Sequence, residues 1–153
     1  MAVDTRQAYR RLLEEAFGKG NLDVYDELCD PGYRSHDPVT GDADLKQAKE
    51  SCRMYRTAFP DLRCTILSSH AVGDTVFTHW RMAGTHESPL MGMNATGRHC
   101  TVEGMSLARF RGGKLIEDWA QWDALGLMRQ LGAGTVQQVG TSTMREQQAQ
   151  QTH

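Results

Sequence analysis

The chain has 153 residues, of which 39% are hydrophobic and 24% charged, and its formal net charge is −2. These values are typical of one compact soluble domain with a hydrophobic core. The near-neutral charge argues against nucleic acid or an anionic membrane as the main partner, because both need a concentrated basic surface. No stretch approaches the ~20 apolar residues of a membrane span, and the N-terminus lacks the apolar core of a signal peptide, which predicts a cytoplasmic protein.

The first 60 residues predict three helices. Apolar side chains recur at helical spacing over residues 4–17, which indicates an amphipathic helix. Asn21 can cap a second short helix, which ends before Pro31. The third helix covers residues 45–59 and stops there, because Pro60 disfavours helix in the residue before it.

From Leu62 onward the hydrophobic pattern has a period of two, which indicates β-strands. Two strands flank the turn at Gly73, and a hairpin follows a loop rich in Gly and Pro. A short helix is predicted over residues 123–132. We therefore predict one α+β domain over residues 1–132, with helices packed on a curved antiparallel sheet, and a flexible tail over residues 133–153.

The hairpin carries the densest set of groups capable of chemistry, and its register decides which of them share a face. A two-residue Gly112-Gly113 loop would put Ser106 and Asp118 on opposite faces. A three-residue loop with a glycine bulge instead pairs Phe110 with Lys114 and puts Ser106 directly across from Asp118. We favour the second register.

In that register one face of the hairpin combines small side chains with a single carboxylate. It presents Val102, Gly104, Ser106, Ala108, Ile116, Asp118, Ala120 and Trp122. Unfilled volume beside a carboxylate is what a ligand cavity needs. The opposite face, which includes Met105, Leu107 and Trp119, is more apolar than a solvent-exposed sheet face should be, and this predicts a dimer.

A series of short motifs runs in order along the chain. It includes Phe59-Pro60-Asp61-Leu62, Gly73-Asp74, Gly84-Thr85-His86, Thr96-Gly97-Arg98, Glu117-Asp118-Trp119 and the run from Asp123 to Gly132. Over residues 5–132 the sequence resembles the SnoaL-like polyketide cyclases, also called ester cyclases, of the nuclear-transport-factor-2-like (NTF2-like) superfamily. The resemblance implies a cone-shaped α+β barrel whose apolar cavity is closed by the helices, commonly as a homodimer or homotetramer.

The resemblance also implies cofactor-free acid/base chemistry. In the characterised cyclases, a cavity Asp and His close a ring by intramolecular aldol condensation of a polyketide ester. Those two positions align with Ala120 and Ser106, so this chain departs from the pattern at both. Asp118 lies two residues before Ala120, hence on the same strand face, and could be a relocated carboxylate.

Three residues are predicted to be catalytic: Asp118, His36 and Ser106. In an apolar cavity desolvation would raise the pKa of Asp118 and make it a general base near neutral pH. The alternative is an ordinary strand charge at the rim or facing solvent. Ser106 and His36 would hydrogen-bond the developing enolate. The alternative for His36 is that it and Asp37 hydrogen-bond the adjoining turn.

Five residues are predicted to bind the substrate, as flat or apolar walls or at the entrance of the cavity. They are Trp122, Tyr33, Trp80, His86 and Met105. The alternative for such residues is plain core or subunit interface. Two further acids are predicted to be structural: Asp123 as a helix cap, and Glu117 as the partner of a cation such as Arg109.

No metal or organic cofactor is predicted. Cys29, Cys52, Cys64 and Cys100 are scattered with no C-x-x-C pair, and the histidines have no ligand spacing. Nucleotide, serine-hydrolase and zinc-protease motifs are missing from the sequence.

Three functions are consistent with these features. The first is a cyclase or isomerase that acts on a small apolar, aromatic or polyketide-like molecule. The second is a hydroxylase without metal or flavin on the same scaffold, as the resemblance implies for related proteins, which dependence on O₂ would distinguish. The third is a protein that binds such a ligand without converting it. The departure at both cyclase positions is the best support for this reading, and Asp118 in a pocket of small residues is the best argument against it.

Overall fold

The computed structural model describes residues 3–132, so the predicted tail over residues 133–153 lies outside the described residues. The helices are α1 (Thr5–Arg11, continued by a π-helical segment, Leu12–Phe17), α2 (Asp23–Leu28), α3 (Leu45–Ala58) and α4 (Ala124–Gln130). The strands are β1 (Cys29–Asp37), β2 (Gly41–Asp44), β3 (Arg63–Val72), β4 (Thr75–Thr85), β5 (His99–Arg111) and β6 (Lys114–Trp122). Within this part of the chain no helix is long and apolar enough to cross a membrane.

The predicted helices are present, and side-chain caps explain where most of them begin. Asp4 accepts a hydrogen bond from the backbone of Gln7 at the start of α1. At the start of α3, Asp44 and Gln47 form a reciprocal capping box. The prediction that Asn21 caps the second helix was wrong, because Leu22 occupies the cap position and makes no side-chain hydrogen bond there.

The six strands form one sheet in the order β2-β1-β6-β5-β4-β3. The predicted α+β class is confirmed, with one addition to the predicted antiparallel sheet: β1 runs parallel to β6. This pairing brings β1 into the interior of the sheet beside the hairpin, whereas the sequence indicated an extended segment only from Tyr33 onward. All the other pairs are antiparallel.

The hairpin of β5 and β6 has a register that differs from both simple alternatives. A two-residue turn pairs Arg111 with Lys114, but the register shifts after the next pair, so that Arg109 faces Glu117. Ile116 is the extra residue of this β-bulge. It reverses the face of the sheet to which each later residue of β6 points. The predicted pairing of Phe110 with Lys114 is therefore wrong, although the predicted face is correct.

As a result, Ser106 and Asp118 share the inner face of the sheet without being direct partners. Ser106 lies opposite Ala120, and Asp118 lies opposite Ala108. The π-helical segment packs against β3, and α3 packs against β1 and β2. Between the helices and the inner face lies the hydrophobic core, which includes Tyr9, Leu12, Val76 and Leu115.

Gly104 allows two tryptophans of the inner face to approach each other. A Cβ atom at this position would overlap the ring of Trp80 and lie 2.7 Å from Cβ of Trp122. Any larger residue would therefore displace the rings that form one wall of the interior.

We expect Gly104→Ala to lower the free energy of unfolding by about 1–3 kcal/mol, since overpacking a filled site forces side chains from their rotamers. Gly18→Ala is the matched control, because Gly18 has helical backbone angles and its added Cβ would lie no closer than 3.6 Å to another residue. Urea unfolding would measure both. Equal stabilities of the two variants would contradict the close packing at Gly104.

Candidate active site

The helices and the inner face of the sheet enclose a cavity of about 120 Å³. Its walls are largely apolar, and eight of the lining residues are aromatic. The aromatic residues are Tyr9, Phe17, Tyr25, Tyr33, Tyr55, Phe59, Trp80 and Trp122. An apolar chamber with a few polar groups is the usual form of a small-molecule site.

Asp118 is buried in this cavity, and two tyrosine hydroxyls bind its carboxylate. The side chain is only 8% exposed. Tyr33 donates to Oδ1 at 2.7 Å, and Tyr9 donates to Oδ2 at 3.0 Å. The parallel pairing of β1 with β6 explains why Tyr33 reaches Asp118. Ser35 lies beside Asp118, and Tyr33, two residues earlier on β1, points to the same face of the sheet.

Burial raises the pKa of Asp118 from its usual 3.8 to about 6, although the hydrogen bonds from Tyr33 and Tyr9 favour the charged form and limit the rise. The pKa values of Tyr9 and Tyr33 are well above their usual range, first because of burial and then because of the charge on Asp118. Both tyrosines therefore remain protonated donors. At neutral pH Asp118 is mainly a carboxylate that can accept a proton.

Ser106 lies on the same face and binds a tryptophan. The Nε1–H group of Trp80 donates to Oγ of Ser106 at 2.9 Å. Ser106 also lies close enough to Tyr9 to lower the pKa of that phenol. Both Ser106 and Trp80 line the cavity.

A second carboxylate, Asp37, lines the cavity at the end of β1. Its Oδ2 atom accepts a hydrogen bond from Nε1 of Trp122 at 3.0 Å. Its Oδ1 atom accepts from the backbone N–H groups of Val39 and Thr40 at 2.8 and 2.9 Å. The hydroxyl of Tyr55 lies 3.4 Å from the same oxygen, and its ring meets Trp122 edge-on at 6.0 Å. Asp37 thus fixes two aromatic walls of the cavity.

The ring of His36 is directed away from Asp118. Its nitrogens bind Oδ1 of Asp42 at 2.7 Å and Oε2 of Glu117 at 2.8 Å, and neither of these residues lines the cavity. The ring also stacks on Trp119 at 5.2 Å. The two carboxylates raise the pKa of His36. His36 borders the cavity, but the structure does not bring its imidazole together with Asp118 and Ser106.

Two of the predicted substrate-binding residues do not line the cavity. Met105 lies on the outer face and is 63% exposed, because it alternates with the inward-facing Ser106. His86 is fully buried elsewhere, where it packs against Phe59 and accepts a hydrogen bond from the backbone of Thr96. Contrary to the prediction, neither Met105 nor His86 is therefore placed to bind a substrate in the cavity. Trp122, Tyr33 and Trp80 do line the cavity.

The two acids predicted to be structural have the expected contacts. Asp123 caps α4 by accepting a hydrogen bond from Gly126. Glu117 lies 3.8 Å from Arg109, its cross-strand partner. Within the described residues, no group of three or more His, Cys, Asp or Glu side chains could hold a metal ion.

The sequence did not identify Tyr9 as a hydrogen-bond donor to Asp118. It also did not identify Asp37 and Tyr55 as parts of the site. Tyr9 and Tyr55 stand on the apolar faces of their helices, where a tyrosine is indistinguishable from ordinary core. For Asp37 a signal was available, because strand alternation places Tyr33, Ser35 and Asp37 on one face. Its neighbour Pro38 favoured a turn and obscured that pattern.

Comparison with known proteins gives a consistent family match. The family model described as SnoaL-like polyketide cyclase matches residues 7–131. No curated protein sequence matches the chain.

Solved structures also resemble the chain. A proposed SnoaL-like polyketide cyclase from Jannaschia sp. CCS1 has 25% identity and a TM-score of 0.78, with 86% of this chain and 93% of that chain covered. IdmH, a proposed polyketide cyclase from Streptomyces antibioticus, has 28% identity and a TM-score of 0.75, with 84% and 99% covered. AclR, a proposed hydroxylase from Streptomyces galilaeus, has 20% identity and a TM-score of 0.77 over 98% and 96% of the chains, and shows a shared fold alone. These similarities confirm the expected NTF2-like fold.

The raised pKa of Asp118 predicts a specific dependence of stability on pH. Because the folded protein holds this proton more tightly than the unfolded chain, the contribution is fully present below pH 3.8 and is lost as the pH rises through about 6. The loss amounts to about 3 kcal/mol, since a change of one in pKa corresponds to about 1.4 kcal/mol. Relative to Asp118→Asn, the wild type should therefore lose about 3 kcal/mol between pH 4 and pH 7.

Urea unfolding of both proteins at pH 4, 5, 6 and 7 would measure this difference. Asp74→Asn is the matched control, because Asp74 is exposed in a turn between two strands, and the pH dependence of its stability should equal that of the wild type. A constant difference between wild type and Asp118→Asn across this range would show that the buried carboxyl has an ordinary affinity for protons.

Proposed function

The chain belongs to the SnoaL-like polyketide cyclase family, and from this membership we propose that it is an enzyme that uses Asp118 as its acid/base catalyst. The substrate is a small, largely apolar carbonyl compound of the polyketide-like or aromatic type. The reaction is an intramolecular aldol cyclisation or a related isomerisation, and it consumes no cofactor. The observation that carries the proposal is the buried carboxylate of Asp118 at the centre of an apolar cavity.

The environment of Asp118 suits proton transfer in both directions. A catalytic acid or base is most effective when its pKa lies near the working pH, and the pKa of Asp118 is about 6. The carboxylate would remove a proton from the carbon beside a carbonyl group. The resulting enolate carbon would then attack a second carbonyl carbon, forming the new C–C bond. The proton held by Asp118 would return to the alkoxide oxygen so formed.

Tyr9 and Tyr33 have a second role in this proposal. Their hydroxyls bind the Asp118 carboxylate before the reaction, at 3.0 and 2.7 Å. When Asp118 takes up a proton, its oxygens become weaker acceptors, while negative charge develops on the enolate oxygen. The two donors can then bind that oxygen, with Ser106 as a third donor, and stabilise the charge where it develops. We do not assign His36 the predicted hydrogen bond to the enolate, because its ring is bound to Asp42 and Glu117.

The sheet register supports Asp118 as a relocated catalytic carboxylate. The positions that align with the cyclase His and Asp, Ser106 and Ala120, are direct cross-strand partners. The next pair on the same face is Ala108 with Asp118. The carboxylate of this chain is therefore displaced by one pair along the inner face, and the small side chains at Ala108 and Ala120 leave room beside it.

The proposal predicts that Asp118 removes α-protons from a model ketone. In D₂O, the wild type should accelerate exchange of the benzylic hydrogens of phenylacetone, measured by proton NMR. Asp118→Asn should lower the rate about a hundredfold or more, because the amide cannot accept the proton. The rate of the wild type should rise with pH through about 6, the pKa of the carboxyl.

Tyr33→Phe provides a sharper variant of the same experiment. Loss of one hydrogen bond to the carboxylate should raise the pKa of Asp118 and move the pH profile upward. Asp74→Asn should exchange at the wild-type rate. An exchange rate unchanged by Asp118→Asn would exclude Asp118 as the base, and binding of phenylacetone without exchange would favour a carrier function.

We also propose that the chain forms a homodimer through the outer face of the sheet. Phe77, Leu107 and Trp119 lie side by side across β4, β5 and β6, and Phe77 is 45% exposed. Charged residues of this face are paired within the subunit, as in Arg81 with Glu103. The face therefore combines an apolar strip with paired charges that leave little net charge to repel a second copy, which favours a symmetric interface.

Sedimentation velocity at micromolar concentration should show a dimer for the wild type. Met105→Glu should produce monomers, because the interface would bury an unpaired charge from each subunit. Leu125→Glu is the matched control, since Leu125 is similarly exposed, at 51%, but lies on helix α4. A monomeric wild type would contradict the proposed interface.

A further inference from the structure

More carboxylates than cationic groups line the cavity in the described part of the chain. Asp37 and Asp118 both line it, whereas no lysine or arginine does so among residues 3–132. His36 borders the cavity, but its ring lies between Asp42 and Glu117, which offset any positive charge it carries. The charge of Asp37 raises the pKa of Asp118, while the positive charge of His36 lowers it by more. Counted over the lining groups, two carboxylates accompany one imidazole that is itself paired with two further carboxylates, so the surroundings carry a net negative charge.

The two carboxylates lie in different surroundings. Asp118 is almost fully buried, while Asp37 is half-buried where β1 enters the exposed turn, which marks the mouth of the cavity. Three donors meet at Oδ1 of Asp37, but Oδ2 accepts only the Nε1–H group of Trp122. Oδ2 can therefore accept a further hydrogen bond from a ligand.

Aromatic rings stand beside this available oxygen. Tyr55 and Trp122 meet edge-on and both bind Asp37, so the carboxylate and the two rings form one rigid group. Trp122 and Tyr55 present their hydrogen-bonding edges to Asp37, so it is the charge of the carboxylate itself that attracts an organic ammonium group. An anionic ligand would instead be desolvated beside two negative charges.

We propose that the cavity selects a ligand that carries an organic ammonium group, which binds at Asp37 beside Tyr55 and Trp122, with the apolar part of the ligand directed toward Asp118. The inference rests on the proposed function for the chemistry at Asp118, and it narrows the substrate class to amino-substituted carbonyl compounds. The ammonium group at the mouth leaves the Asp118 carboxylate available for proton transfer. An ammonium substituent near a carbonyl also makes the adjacent C–H bond more acidic by induction.

Three probes of nearly equal size and different charge test this selectivity: benzylamine, which is protonated at pH 7.5, benzyl alcohol and benzoate. Isothermal titration calorimetry, or NMR titration for weak binding, would give their dissociation constants. We expect benzylammonium to bind about tenfold or more tightly than benzyl alcohol, and benzoate to bind most weakly. High salt should reduce the difference between the cation and the alcohol only partly, because the site is partly desolvated.

Asp37→Asn isolates the proposed contact. It should lower the affinity for benzylammonium to about that for benzyl alcohol, whose affinity should stay near its wild-type value and so report an intact cavity. Asp118→Asn should keep most of the preference for the cation. Equal binding of the three probes, tighter binding of benzoate, no binding of benzylammonium, or an unchanged preference in Asp37→Asn would each overturn the proposal.

Failure of this inference would be distinguishable from failure of the proposed function. Phenylacetone carries no charge, so its Asp118-dependent exchange can persist in a cavity without any preference for cations. Conversely, selective binding of benzylammonium can occur in a protein that does not exchange the ketone.

Discussion

The arrangement of this domain depends on one buried carboxylate and the two phenols that hold it. Tyr9 and Tyr33 reach Asp118 across 109 and 85 residues of sequence. Their hydrogen bonds join α1, β1 and β6 at the base of the cavity. An ionised carboxylate buried without such donors would be far more costly, and it would simply remain protonated. With them, its pKa is held at about 6, where both protonation states are accessible near neutrality.

A single extra residue in the hairpin brings the site together. If the two-residue turn had continued without a bulge, Ser106 would face the cavity and Asp118 would face the outside. Ile116 changes the alternation of β6, so that Asp118 and Ala120 face inward together with Ala108 and Ser106 of β5. The same change directs Trp119 outward beside Leu107, so the bulge shapes the outer face as well as the cavity.

The sequence was sufficient for the helices, for the strands from Leu62 onward, for the α+β class and for the inward facing of Ser106 and Asp118, because each depends on local periodicity. It did not predict β2, which lies in a segment read as a polar loop. It predicted the inward position of Asp118 correctly but its partner wrongly, since turn residues alone do not reveal a bulge two pairs away. The parallel pairing of β1 with β6 joins distant segments and leaves no local pattern. The contacts of Tyr9 with Asp118 and of His36 with Glu117 follow from that pairing and from helix placement, and so could not be predicted.

The two cavity carboxylates show how surroundings can divide the work of identical groups. Asp37 binds two backbone N–H groups and two aromatic side chains, so it is fixed in position. Asp118 has only two phenol donors and nearly complete burial, so its affinity for a proton is raised. The first arrangement suits binding and the second suits proton transfer. That difference is why we assign recognition to the mouth of the cavity and chemistry to its base.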